Sequence, residues 1–148
     1  FDTPKAIYHH PASVFVAKFI GSPPMNILQV EGDGSVLRLA DGQAVANYAG
    51  KGKFQLGIRP EDIAVNEGGS IKTEIRYRED LGSHEILETK IAEQNLRIAM
   101  PFGVEIDTTQ TLSLSFPQAR LHLFEGESGR AIANAFGDAQ PASVKEYQ

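Results

Sequence analysis

The chain has 148 residues, with 14 lysines and arginines against 19 aspartates and glutamates and a net charge of −5. That length supplies one domain with a core of its own, and the absence of cysteine excludes disulfide frameworks, thiolate metal sites, iron–sulfur clusters and cysteine nucleophiles. No apolar run approaches the roughly 20 residues of a membrane-spanning helix, and an acidic chain binds nucleic acid only where a local basic stripe is present. The first ten residues lack the charged start and apolar stretch of a signal peptide, and a chain without cysteine fits a reducing compartment. Phe1 stands where an initiator Met is usual, so a piece of a longer polypeptide is expected.

Thr3-Pro4 places an N-cap before a proline at the first helical position, predicting a short helical turn through Tyr8. His9-His10-Pro11 breaks it. A second helix is expected from Pro11 to Ile20, burying a face made of Ala12, Phe15, Val16, Phe19 and Ile20. Gly21 and Pro23-Pro24 stop it. From Asn26 onward the pattern becomes strand-like. Ile27–Glu31 and Ser35–Leu39 flank the turn Gly32-Asp33-Gly34, and Asp41-Gly42 makes another turn. Lys53–Gly57 and a short Asp62–Val65 follow. Ile71, Thr73, Ile75 and Tyr77 alternate with Lys72, Glu74 and Arg76, the period of a half-buried strand. Leu81-Gly82-Ser83 turns the chain into His84–Ile91. Leu96–Met100, Leu112–Phe116 and Leu121–Leu123 complete the set. Eight or nine short strands with glycine turns predict a mainly β fold, a barrel or a sandwich, with a short helical N-terminal segment. Ala131–Gln148 is alanine-rich and without pattern, read as a mobile tail that is partly helical near Ala131–Phe136.

Several chemistries are missing. The P-loop needs Gly-x-x-x-x-Gly-Lys followed by Ser or Thr, and neither Gly50-Lys51 nor Gly52-Lys53 completes it. Gly126-Glu127-Ser128-Gly129 has Arg130 where a nucleophile elbow needs its last glycine, so a surface turn is preferred. His9, His10, His84 and His122 are scattered, so no metal site is expected. Glu79-Asp80 and Glu85/Glu88 read as solvated acids rather than an acid–base pair. Lys51, Lys53 and Arg59 form a cationic stretch in sequence, while Lys72, Arg76 and Arg78 are interleaved with Glu74, Glu79 and Asp80. Phe54 and Tyr77 are the candidate base-stacking aromatics, but both occupy positions expected to face a core.

Three stretches in combination carry a resemblance: Phe15–Asn26 (FVAKFIGSPPMN), Gly57–Ile63 (GIRPEDI), and Leu121–Phe124 with Ser128-Gly129-Arg130. In this order they resemble the C-terminal part of the ATP-binding subunit of sugar-type ABC importers, the group that includes maltose and glycerol-3-phosphate importer ATPases. Glu79-Asp80-Leu81-Gly82 is similar to that family's Glu-x-Leu-Gly segment. The resemblance covers about residues 2–130 and implies a helical end of the ATPase domain at 1–25 and an OB-like β-barrel of short antiparallel strands at 26–130, the transport-associated OB (TOBE) domain; the tail at 131–148 has no counterpart in it. It implies a non-catalytic regulatory and dimerisation domain, with ATP and Mg bound by the ATPase domain rather than by this stretch. Expected partners are a second copy of the ATPase subunit, the membrane subunits reached through the ATPase domain, and a small regulatory ligand or protein, without nucleic acid. The expected location is cytoplasmic, peripheral on the inner face of the membrane. The second reading is a barrel that binds a small ligand or oxyanion.

The candidate ligand or interface residues are Arg59, Glu61, Lys51, Lys53 and Gly82; no catalytic or metal-binding residue is expected. Arg59 suits a bidentate pair with a carboxylate, either Glu61 or one across an interface, or a plain turn-stabilising pair. Gly82 suits a backbone conformation closed to other residues.

Overall fold

The computed structural model describes residues 10–19, 24–101, 103, 105–107 and 109–137. Among the described residues one helix, α1 (Val14–Phe19), precedes ten strands: β1 (Asn26–Asp33), β2 (Val36–Arg38), β3 (Ala44–Asn47), β4 (Lys51–Ile58), β5 (Ala64–Val65), β6 (Ile71–Asp80), β7 (His84–Ile91), β8 (Gln94–Pro101), β9 (Thr111–Ser115) and β10 (His122–Glu125). Single 3-10 turns lie at Pro60–Asp62 and Gln118–Arg120. The strands form two five-stranded antiparallel sheets, ordered β10-β4-β1-β2-β3 and β5-β9-β6-β7-β8. The mainly β class with a short N-terminal helix is borne out.

Period-two patterning explains the sheets. Leu28 and Val30 of β1 point inward while Gln29, Glu31 and Asp33 point out. In register, Leu28 lies opposite Leu56 and Val30 opposite Phe54. Across the fold, Leu87, Leu96, Ile98 and Leu114 of the second sheet are fully buried against Leu28, Leu37, Leu56 and Ile58 of the first. Fully burying one such side chain contributes about 1.5–3 kcal/mol. The polar Thr73 and Thr89 in this interior are satisfied: their hydroxyls lie 2.8 Å apart, and Thr89 Oγ1 donates to the Leu96 carbonyl at 2.8 Å.

Three elements differ from the sequence reading. β3 was not expected: Ala and Asn are weak strand formers, and pairing with β2 overrides them. β6 runs on to Asp80, past a register shift between Ile75 and Tyr77. Beyond that shift Arg76–Asp80 are all exposed, so no alternation marks the strand, and the ladder to β7 holds it. The helix starts later, at Val14, where Ser13 caps it: Val16 N donates to Ser13 Oγ at 3.3 Å.

The helix also turns a different face inward. Ala17 is fully buried and Val14 packs beside it, whereas Phe15 is 72% exposed. The helix lies over Phe124, Met25 and Ile27 on the outer side of the first sheet, and a small residue at 17 lets its backbone come close. The expected turn at Thr3–Tyr8 and the end of the expected helix at Ile20 lie outside the described residues.

Residues 131–137, read by sequence as the start of a tail, lie along the first sheet. Ala131 bridges Phe124, and Ile132 N donates to the Leu123 carbonyl at 2.8 Å. Ile132, Ala135 and Phe136 pack on the main core, with the Phe136 ring 6.0 Å from Tyr48. The segment makes a bridge and a turn rather than a helix. Residues 138–148 lie outside the described residues.

Candidate functional site

The three motif stretches meet at one place. Phe124, at the end of the third, is fully buried, but on the outer side of the sheet. Gly57, from the second, lies beneath it, and a Cβ there would stand 2.5 Å from Met25 Sδ and 3.1 Å from Phe124 Cε2. Ala17 and Met25, from the first, complete the cluster. Ser128-Gly129-Arg130 ties the pieces together. Val14 N donates to the Gly129 carbonyl and Gly129 N to the Glu125 carbonyl, both at 2.9 Å. Arg130 bridges Ser13, and Ala131 N donates to the Ala12 carbonyl at 2.9 Å. Gly129 has φ +70, which a residue without Cβ adopts freely. The near-elbow at Ser128 is therefore a structural fastening, its Oγ accepting from Arg130 N at 3.2 Å.

Asn26, the last residue of the first motif, reaches across to the second sheet. Its Nδ2 donates to the Arg97 carbonyl at 2.8 Å, and its Oδ1 accepts from Arg97 N at 2.8 Å. Asn26 is 8% exposed, and both its Nδ2 and its Oδ1 are engaged.

The sequence-predicted site residues are not gathered. Lys51 and Lys53 are exposed at the start of β4, and Arg59 follows its end, on the order of 25 Å away at strand rise. Lys51 lies in register with Asp33 and Lys53 with Glu31, so each faces an acid on the neighbouring strand. Arg59 is buried, 2% exposed, where the chain leaves β4 for the Pro60–Asp62 turn. Glu61 is exposed on that turn. Gly82 belongs to the other sheet, at the tip of the β6–β7 hairpin. Its φ is +92, and its N donates to Asp80 Oδ1 at 2.8 Å, so its role there is to make the turn.

The sequence reading missed the ion pairs of the second sheet. Arg78 Nε donates to Glu85 Oε2 at 2.7 Å and Nη2 to Glu85 Oε1 at 2.9 Å, a bidentate pair next to the β6–β7 tip. The Arg78 hydrogen bonds hold the Glu85 carboxyl below the usual glutamate range, against an opposing push from desolvation. Arg97 Nε binds Glu88 Oε2 at 2.8 Å. Both acids sit beside cations on neighbouring strands, which spacing along one strand cannot show. A shallow cleft of about 190 Å³ between the Asp41–Gln43 turn, β6 and the end of β7 is lined by both signs of charge, Asp41 and Glu74 with Lys72 and Lys90. It contains none of the predicted site residues. Among the described residues no group of three or more His, Asp or Glu converges for a metal, and no helix is long and apolar enough to cross a membrane.

Residues 56–124, from the end of β4 to Phe124, match the family model of the TOBE domain. The chain is 38% identical over 133 residues to the sn-glycerol-3-phosphate import ATP-binding protein UgpC of Jannaschia sp. (strain CCS1), covering 88% of this chain and 38% of that protein. It is 38% identical over 141 residues to the UgpC of Escherichia coli O157:H7, covering 88% of this chain and 39% of the relative. The corresponding protein of Ruegeria pomeroyi is 32% identical over 136 residues, covering 90% and 39%. The chain thus spans about two fifths of the length of the curated relatives it matches. Residues 56–124 thus match a TOBE domain, and the chain is similar to part of UgpC, an sn-glycerol-3-phosphate import ATP-binding protein.

Proposed function

We propose that this chain is the non-catalytic regulatory region of the ATP-binding subunit of an ABC importer for glycerol-3-phosphate or related solutes. The observation that carries the reading is the similarity to import ATP-binding proteins over 88% of the chain, confined to about two fifths of their length, in a sequence without a P-loop. ATP and Mg would be bound by the remaining part of the subunit, which also contacts the membrane subunits at the cytoplasmic face. A second copy of the subunit is the expected partner, joined through an isologous contact. The junction of α1 with Gly129 and Phe124 supports a fastening role, because it fixes the N-terminal segment to the barrel at a set angle. The scatter of Lys51, Lys53 and Arg59 works against the oxyanion-binding alternative, which needs convergent cations.

Calorimetry with Mg-ATP and a phosphate-release assay on the purified chain test the reading. No binding and no turnover are expected. Turnover that survives repurification and scales with the chain would overturn it.

A further inference from the structure

We propose that the line along which β1 meets β8 is a shear seam, where the two sheets shift past one another while their shared core stays closed. Within each sheet the strands are joined by main-chain ladders. Between the sheets, side-chain carboxamides supply directional joints. Asn26 engages the N–H and carbonyl of Arg97. Gln94, on β8, returns the same contact to β1: Gln29 N donates to Gln94 Oε1 at 2.7 Å, and Gln94 Nε2 to the Gln29 carbonyl at 3.1 Å. Gln43 does likewise on β6, accepting from Lys72 N at 2.7 Å and donating to the Lys72 carbonyl at 3.0 Å.

A carboxamide presents one donor and one acceptor side by side, as a peptide edge does, so each clamp satisfies both backbone groups of one residue. The mechanical difference lies in what each joint restrains. A ladder holds many residues of a stiff backbone at once. A clamp holds one residue through a rotatable stem of one or two methylenes, so it restrains the facing strand less stiffly than a ladder does. Gln43 and Gln94 are only half-buried, so water replaces their bonds when they open. The core between the sheets is apolar and supplies no directional bond across the seam. The seam lies between α1, which is fastened to the first sheet, and the exposed β6–β7 arm of the second.

The test is NMR on the whole chain. Successive amides of a strand point to opposite sides, so Gln29 and Arg97 face the seam while Leu28 and Leu96 face ladders. Hydrogen exchange at Gln29, Arg97 and Lys72 is expected to run at least roughly tenfold faster than at Leu28 and Leu96, with little dependence on urea. Relaxation dispersion is expected to return one shared rate for Gln29 and Arg97, since one slip opens both clamps. Gln94→Ala should speed exchange at Gln29 by roughly tenfold, the loss of about one hydrogen bond, and leave Leu56 and Leu114 unchanged. Gln43→Ala should do the same at Lys72. The proposal is overturned if seam amides exchange only with global unfolding, if Gln29 and Arg97 open at unrelated rates, or if Gln94→Ala speeds all core amides equally.

Discussion

Arg78 grips Glu85 across the β6–β7 hairpin with two hydrogen bonds, at 2.7 and 2.9 Å, while the backbone N–H of Gly103 approaches the same carboxylate at 3.4 Å. The pair lies next to the tip of the arm, between the exposed Tyr77 and Leu81. Its consequence is a pH dependence of known sign. The Glu85 carboxyl is held below its ordinary value of 4.5, first by the Arg78 hydrogen bonds. A carboxylate depressed on folding adds stability that is fully present above the unfolded value and is lost as pH falls through the folded one. Urea midpoints of the native chain and of Glu85→Gln should therefore differ at pH 7 and draw together below about pH 4. A gap that stays constant down to pH 3 would show that the charge of Glu85 does not matter.

Gly69 stands against the backbone of Leu114, so closely that an added Cβ would collide with the Leu114 carbonyl oxygen. Backbone in a ladder cannot step aside as a flexible side chain can. Gly69→Ala should cost about 1–3 kcal/mol, the range of overpacking, read as a lower urea midpoint at unchanged slope. Gly57→Ala meets the flexible end of Met25 first and should cost less.

The β7–β8 hairpin turns on Ala92 and Glu93, with φ of +47 and +66. Two-residue hairpin turns of this hand favour Asn and Gly, and each left-handed non-glycine residue costs about 1–2 kcal/mol. Glu93 is exposed, so Glu93→Gly should raise stability by about 1 kcal/mol after the extra chain entropy of glycine is subtracted. Glu93→Val should lower it. Thermal melts of the two variants check the prediction, and equal melting temperatures would contradict it.

Phe124 joins the helix to the barrel. Phe124→Ala should cost about 3–5 kcal/mol, the usual range for emptying a buried aromatic site. The damage should be uneven: exchange at Val14 and Ala17, on the helix side, should rise before exchange at Leu28 and Ile98 in the main core. Uniform loss of protection would mean that helix and barrel unfold as one unit.

Strands with two apolar residues in alternation were legible from sequence, as β1, β6 and β8 show, because one buried face writes period two directly. β3 was not, since Ala44–Asn47 exist as a strand only through β2. The helix was legible but its buried face was not. The apolar stripe counted Phe15, while packing over Phe124 selected Ala17, and a small residue gives a weak hydrophobic signal. The site fared similarly. Lys51 and Arg59 are close in sequence, yet an extended strand separates them. Asn26, Gln43 and Gln94 carry no motif, and their joints become visible only when two sheets face each other. The three stretches that carry the family resemblance lie apart in sequence and meet around Gly57 and Phe124.

The most direct test of the central claim is ATP hydrolysis by a reconstituted importer of the kind proposed, with this chain in its ATP-binding subunit, measured with and without its loaded solute-binding protein. The subunit with Phe124→Ala is compared with the unaltered one. The account predicts that basal Mg-ATP hydrolysis persists, because the nucleotide site lies elsewhere in the subunit, while stimulation by the loaded binding protein or its regulation changes. Loss of basal hydrolysis with the nucleotide-binding affinity destroyed, or hydrolysis retained by this chain alone, would contradict it.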